Sequence, residues 1–131
     1  MRKHLVGMAR AVAVAVLAGI PAAAPAQDAV KVAADIYKVA LENAWVRVFD
    51  IRAPAGGRTP MHSHPASILT MYTPCKLRFT AADGKKSDVE FKGGEIVWRE
   101  PETHAVENIG PGECHAMQVE MKQPPPAVKK M

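Results

Sequence analysis

The sequence predicts an all-β fold, a sandwich or a barrel, and three observations point there. About eight short runs rich in Val, Ile, Phe and Thr are closed by Pro, Gly or Asp-Gly turn chemistry. The last of them, Ala116-Met117-Gln118-Val119-Glu120-Met121, alternates apolar and polar residues, the period of a half-buried strand. No stretch after residue 26 has a convincing helical period. At 131 residues and without an internal repeat, the chain has room for one domain.

The elements follow in order. Arg2, Lys3 and Arg10 form a basic start, an apolar run extends from Ala11 to Ile20, Pro21 breaks it, and Ala24-Pro25-Ala26 supplies small residues for cleavage. Residues 1–26 therefore read as a bacterial-type secretory signal peptide, cut after Ala26, and the expected location is the periplasm or the exterior. The apolar run is too short to span ~30 Å of hydrocarbon, so no stable membrane anchor is expected after cleavage. Residues 27–34 are a polar, Ala-rich lead, and Asp35 to Ala44 hold a short strand that turns at Glu42-Asn43. Trp45–Arg52 is a β-rich run that stops at Ala53-Pro54, and Ser67–Tyr72 stops at Thr73-Pro74. Lys76–Thr80 ends at Ala82-Asp83-Gly84-Lys85, a hairpin signal. Val89–Phe91, Glu95–Arg99, His104–Asn108 and Ala116–Met121 complete the set, the last with Met117, Val119 and Met121 expected to face inward. The barrel domain is thus expected over 27–122. Its wall or core would be Leu77, Phe79, Val89, Phe91, Ile96, Trp98, Val106, Val119 and Met121. Three consecutive prolines keep 123–131 out of any sheet ladder, and this tail is expected to be disordered.

Charge excludes one class of partner. The leader holds three of the 17 basic residues and no acid, leaving 14 Lys+Arg against 13 Asp+Glu, so the formal charge falls from +4 to +1. The basic balance belongs mostly to the leader, and no nucleic-acid footprint remains. Two cysteines, Cys75 and Cys114, stand in a compartment that permits disulfides; the sequence leaves open a disulfide, two free thiols, or a thiol lining the pocket.

The chemistry concentrates in two stretches. Gly56-Gly57-Arg58-Thr59-Pro60-Met61-His62-Ser63-His64-Pro65 puts two histidines one residue apart, and on an extended chain both side chains project to one side. Such a pair can grip one ion, because neutral imidazole is the commonest protein ligand for Zn, Cu, Fe and Ni. A third ligand must come from elsewhere, and His104, in the stretch Gly93–Asn108, is the best candidate. His115 starts the last strand and reads as a surface or rim residue; Tyr72 and Trp98 read as wall. Arg99 reads as a solvated arginine, with a substrate carboxylate as its alternative partner. Glu102 is placed on a loop, where it can back His104 or act as a general base. Glu107 points away from His104 by alternation, and Asn108 is expected to orient the turn that follows.

These residues resemble the cupin superfamily, whose first motif has Gly, five residues, His-x-His and then Glu; here Gly56, His62 and His64 fit. Its second motif has Gly, a His eleven positions later and Asn four beyond, matched by Gly93, His104 and Asn108. Arg99 stands where the family often has Pro, and Pro101 where it often has Gly. The two motifs and the strands between them cover residues 45–121. The resemblance implies a double-stranded β-helix, or jelly-roll barrel, holding one divalent transition metal (Fe, Zn, Mn or Ni) through His62, His64 and His104. The motif's Glu should fall at position 68 or 69, where this chain has Ile68 and Leu69. The implied site thus has three neutral ligands, which suits an anionic ligand or hydroxide and weakens affinity for the ion.

The resemblance implies a dioxygenase-type oxidoreductase acting on a small polar or anionic substrate, because cysteine dioxygenase and some diketone-cleaving members of the superfamily use three histidines. A binding module that performs no chemistry and a sugar isomerase or lyase stand as alternatives. Cupins are often dimers, and the resemblance leaves open a homodimer in which the segment 30–40 pairs or swaps.

Overall fold

The computed structural model describes residues 27–122; the expected leader with its cleavage site, and the tail 123–131, lie outside the described residues. The chain enters through a one-turn helix, α1 (Ala29–Val32), which sequence periodicity did not foretell because one turn is too short to show a period. Asp28 caps it, accepting the Val30 N–H at 3.0 Å, and Ala29 is fully buried. Nine strands follow: β1 (Tyr37–Glu42), β2 (Val46–Ala53), β3 (Arg58–His64), β4 (Ser67–Met71), β5 (Cys75–Ala81), β6 (Lys86–Phe91), β7 (Ile96–Arg99), β8 (Glu102–Asn108) and β9 (Cys114–Met121).

They form two antiparallel sheets. One has the order β1-β2-β9-β4-β7, the other β3-β8-β5-β6. Successive strands cross repeatedly between sheets, so segments far apart in sequence become neighbours. The core between the sheets includes Phe49, Ile51, Leu69, Met71, Leu77 and Phe91, with Phe79, Val89 and Val106 packed against it. Cys75 on β5 and Cys114 on β9 form a disulfide, with Cα atoms 5.3 Å apart. The bridge ties one sheet to the other.

The turns that bound β3 and β8 are one assembly. Gly56 has φ of +75°, a conformation that side chains disfavour, and its N–H donates to the Asn108 carbonyl at 2.9 Å. The Asn108 N–H returns a bond to the Gly57 carbonyl at 2.9 Å. The Asn108 side chain then donates to the carbonyls of Ala53, Pro54 and Gly112 and accepts from the Gly110 N–H. It orients the turn that follows, as expected, and the turn before β3 as well.

Two expectations about facing are corrected. Ile96 and Trp98 are 74% and 54% exposed and point out of the barrel. In β9 the buried residues are Cys114, Ala116, Gln118 and Glu120, while Met117, Val119 and Met121 are half-buried on the outer face. The alternation is real, but its phase is inverted. The outer residues pack in a cross-strand row, Val48 beside Val119 beside Ile68 beside Trp98, that satisfies them without the core. The inner polar residues serve the site described next.

Candidate metal centre

β3 and β8 are hydrogen-bonded neighbours, and their register sets His62 directly opposite His104. His62 and His64 share a face by the two-residue period, so three imidazoles converge on the barrel interior. Their ring centroids lie 4.7, 4.9 and 5.3 Å apart, and a ligand nitrogen from each falls within 4.8 Å of the other two. All three residues are buried, His62 completely.

In two of the rings the outer nitrogen has a partner that leaves the inner one free. His62 Nδ1 lies 2.7 Å from the Pro60 carbonyl, so it carries the proton and donates it. His64 Nδ1 lies 2.6 Å from Glu120 Oε1. Glu102 Oε1 lies 3.5 Å from His104 Nδ1, at the outer limit of such a contact. For His62 and His64 this leaves Nε2 as the inward lone pair, whereas His104 Nδ1 is itself buried without a hydrogen-bond partner. His64 Nε2 and His104 Nε2 are buried without a hydrogen-bond partner, and His62 Nε2 has only the Tyr37 hydroxyl at 3.4 Å. Buried orphan acceptors are costly unless something fills them. Three converging imidazoles, two of them held from outside at Nδ1, match how proteins present histidine to a metal. Burial, assisted by the neighbouring His64 and His104, lowers the His62 pKa to about 4, so this ring is neutral and ready to ligate near neutral pH.

Sequence reasoning singled out Glu102 beside His104 but missed the other residues that surround this cluster. Glu120 sits on β9 in the opposite sheet, 2% exposed, and reaches His64 across the barrel. Arg47 holds its other oxygen through Nε at 3.1 Å and Nη2 at 2.9 Å. Asp28 in turn grips Arg47 at 2.6 and 3.1 Å. The Asp28 carboxyl is held below its ordinary pKa by Arg47, against the opposing effect of burial. A chain of charge-assisted bonds thus runs from the N-terminal segment to a ring of the cluster. That segment is docked on the same strand: the Ser63 N–H, between the two histidines, donates to the Gln27 carbonyl at 2.8 Å. Tyr37 packs against both His62 and His64, with centroids 5.4 and 5.6 Å away. Burial first, then the carboxylates of Glu120 and Glu102, push its phenol pKa upward, so it stays a neutral donor.

Glu102 is the first residue of β8 rather than part of a loop, which puts it on the His104 face. Arg99 is not a solvated arginine. It forks onto Glu102 at 2.8 and 2.6 Å and lies over the Phe79 ring, 5.0 Å from its centroid. Burial opposes ionisation of Glu102, but His104 and Arg99 outweigh it and bring the pKa down to about 2. His115 stands outside the cluster, with Nε2 2.6 Å from Asp50. Glu107 pairs with Arg58, and Tyr72 is half-exposed on the outside. No described carboxylate joins the ligand cluster, as the absence of the motif Glu implies.

Beside His104 opens a chamber between the sheets, of about 60 Å³. Its wall is mainly aliphatic, and Tyr37, Arg99, Glu102 and Gln118 contribute polar groups.

No protein-family model matches the chain, and a search of curated proteins gives no significant relative. Solved structures do match. A cupin domain from Bordetella pertussis Tohama I is 27% identical with a TM-score of 0.63, the alignment covering 67% of this chain and 93% of that one. An uncharacterized conserved protein with a double-stranded β-helix domain from Klebsiella pneumoniae is 24% identical with a TM-score of 0.55, over 66% and 75% of the two chains. An RmlC-like cupin family protein from Methanocaldococcus jannaschii is 18% identical with a TM-score of 0.54, over 66% and 78%. Two antiparallel sheets, the strand crossings between them and these neighbours agree, and the chain is a cupin-fold protein, an RmlC-like double-stranded β-helix.

Proposed function

We propose that the protein is an exported metalloprotein in which His62, His64 and His104 bind one divalent transition metal through Nε2, and that it acts as a dioxygenase-type oxidoreductase on a small anionic substrate. The observation behind the metal is the set of three inward Nε2 atoms, two of them buried without any partner. An ion held there supplies a Lewis acid and, when the metal is iron, a redox centre. The protein's own groups do the rest. Glu120 and the Pro60 carbonyl fix the ring orientations, Tyr37 offers a neutral hydroxyl beside His62, and the barrel wall excludes water. Three neutral ligands leave the ion's double charge uncompensated, which favours an anionic substrate. The Cys75–Cys114 disulfide supports export, since such bridges persist in oxidising compartments.

The test is elemental analysis of the untagged protein purified without chelator, followed by O2-uptake assays on small aliphatic thiols and diketones. Near-stoichiometric iron and substrate-dependent O2 uptake are expected. In His62→Ala and His104→Ala the metal should be lost while the circular dichroism of a β-barrel remains. Undiminished metal content in both variants would count against the ligand set. Iron without O2 uptake in the presence of a tightly held ligand would favour a binding module instead.

A further inference from the structure

We infer that the ligand of this centre is a short aliphatic monoanion, with a carboxylate-type head at the metal and an apolar body of about three or four carbons in the chamber beside His104. The inference rests on the metal reading above and adds what the remainder of the ligand must be.

Most of the chamber wall is aliphatic, with Ile51, Leu69, Met71, Leu77, Val106 and Ala116 offering nothing to a hydroxyl. Several of the polar groups in its lining are already engaged. Both N–H groups of the Asn108 amide go to backbone carbonyls of the two turns, and its Oδ1 accepts from the Gly110 N–H. Thr59 Oγ accepts the Val106 N–H at 2.9 Å and donates to the Val106 carbonyl at 3.4 Å. Gln118 gives its amide to Ser67 Oγ at 2.9 Å. A polyhydroxylated ligand entering this space would meet a mainly aliphatic wall and leave some of its hydroxyls unpaired. A sugar is therefore a poor match for this cavity, which weighs against the isomerase alternative.

Charge sets the head group. Arg99 is neutralised by Glu102 and Arg47 is forked between Glu120 and Asp28, so neither guanidinium adds a free positive charge at the cluster. The attraction for an anion comes from the ion itself, with the Tyr37 hydroxyl beside it as a donor. Size sets the body. About 60 Å³ is well under half of the ~150 Å³ engineered cavity that admits benzene, so a ring does not fit.

The experiment is an NMR titration of the Zn2+-loaded protein with acetate, propionate and butyrate, then with 3-hydroxybutyrate and benzoate, with zinc content measured in every sample. Affinity should tighten about fourfold per methylene up to butyrate. It should fall at least tenfold when butyrate is replaced by 3-hydroxybutyrate, and benzoate should bind no better than acetate. Ala116→Leu fills the chamber and should abolish the chain-length trend while zinc content and acetate binding stay as they were. Leu77→Ala enlarges it and should move the optimum to longer chains, which keeps the test open if the filled variant does not fold. Equal affinity along the series in a zinc-loaded protein overturns the chamber assignment and leaves the metal centre standing. Tight benzoate binding overturns the size limit. A protein that takes up no zinc overturns the metal reading and this inference together.

Discussion

Glu120 takes over part of the task of the carboxylate missing at Ile68 and Leu69. It does not join the histidine cluster, but it accepts the His64 Nδ1–H at 2.6 Å and so sets which nitrogen faces inward. Replacing it with Gln keeps the size and a hydrogen bond but removes the charge and half of Arg47's partners. Glu120→Gln should weaken metal binding about 10–100-fold, read by competition with a chromophoric chelator, and leave the circular dichroism unchanged. Wild-type affinity in that variant would show that orientation by Pro60 and packing alone suffices. His62 gives a second expectation, for the metal-free protein. Its folded pKa of about 4 lies below the ordinary histidine value of 6.5, so between these values the unfolded chain binds the proton and the folded chain does not. The stability this neutral ring permits is complete above pH 6.5 and is lost as pH falls toward 4, by about 3 kcal/mol in all. Urea unfolding at steps between pH 7 and 4 measures it, and His62→Phe should flatten that part of the profile.

β3 and β8 show why the three-histidine cluster is legible in the sequence. His-x-His needs only the two-residue period of a strand, and the intervals from Gly93 to His104 and Asn108 place the third ring on a second strand. The side chains that hold the rings are not legible, because their contacts cross between sheets. Glu120 is 56 residues from His64, and nothing local distinguishes it from a solvent-facing glutamate on an alternating strand. Hydrophobic alternation reports a difference between two faces, and in β9 the apolar face is the outer one. Met117, Val119 and Met121 make it look like the core, when the interior needs Gln118 and Glu120 there. Likewise Tyr37 sits in a short run of mixed periodicity, and only folding brings its ring against His62 and His64. Asn108 is the opposite case, since its place in the motif predicts its role. It is 1% exposed and its side chain makes four hydrogen bonds that lock the turns around β3 and β8. Asn108→Ala strands several buried carbonyls at once and should cost about 3 kcal/mol, measured as a lower denaturation midpoint. Metal affinity should fall with it, since these turns bound both histidine strands.

The two sheets are held together by the core, by the Glu120–His64 contact and by one covalent link. Cys75 on β5 and Cys114 on β9 close a loop with a sequence separation of 39 residues. In the chain-entropy account, a loop of that length limits the unfolded ensemble enough to contribute about 4 kcal/mol. The bridge lies at the end of the barrel away from the histidines, beside Ala53 and Phe91, to which Cys114 and Cys75 are paired. Losing it should therefore act on stability more than on the geometry of the centre. The double variant Cys75→Ser, Cys114→Ser should unfold at a markedly lower urea concentration, and the folded fraction should still take up metal with near wild-type affinity. A loss of metal affinity as large as the loss of stability would mean that the histidines depend on the spacing of the sheets, through Glu120, rather than on β3 and β8 alone. The two outcomes separate because His62 and His104 are cross-strand partners within one sheet, whereas Glu120 approaches from the other.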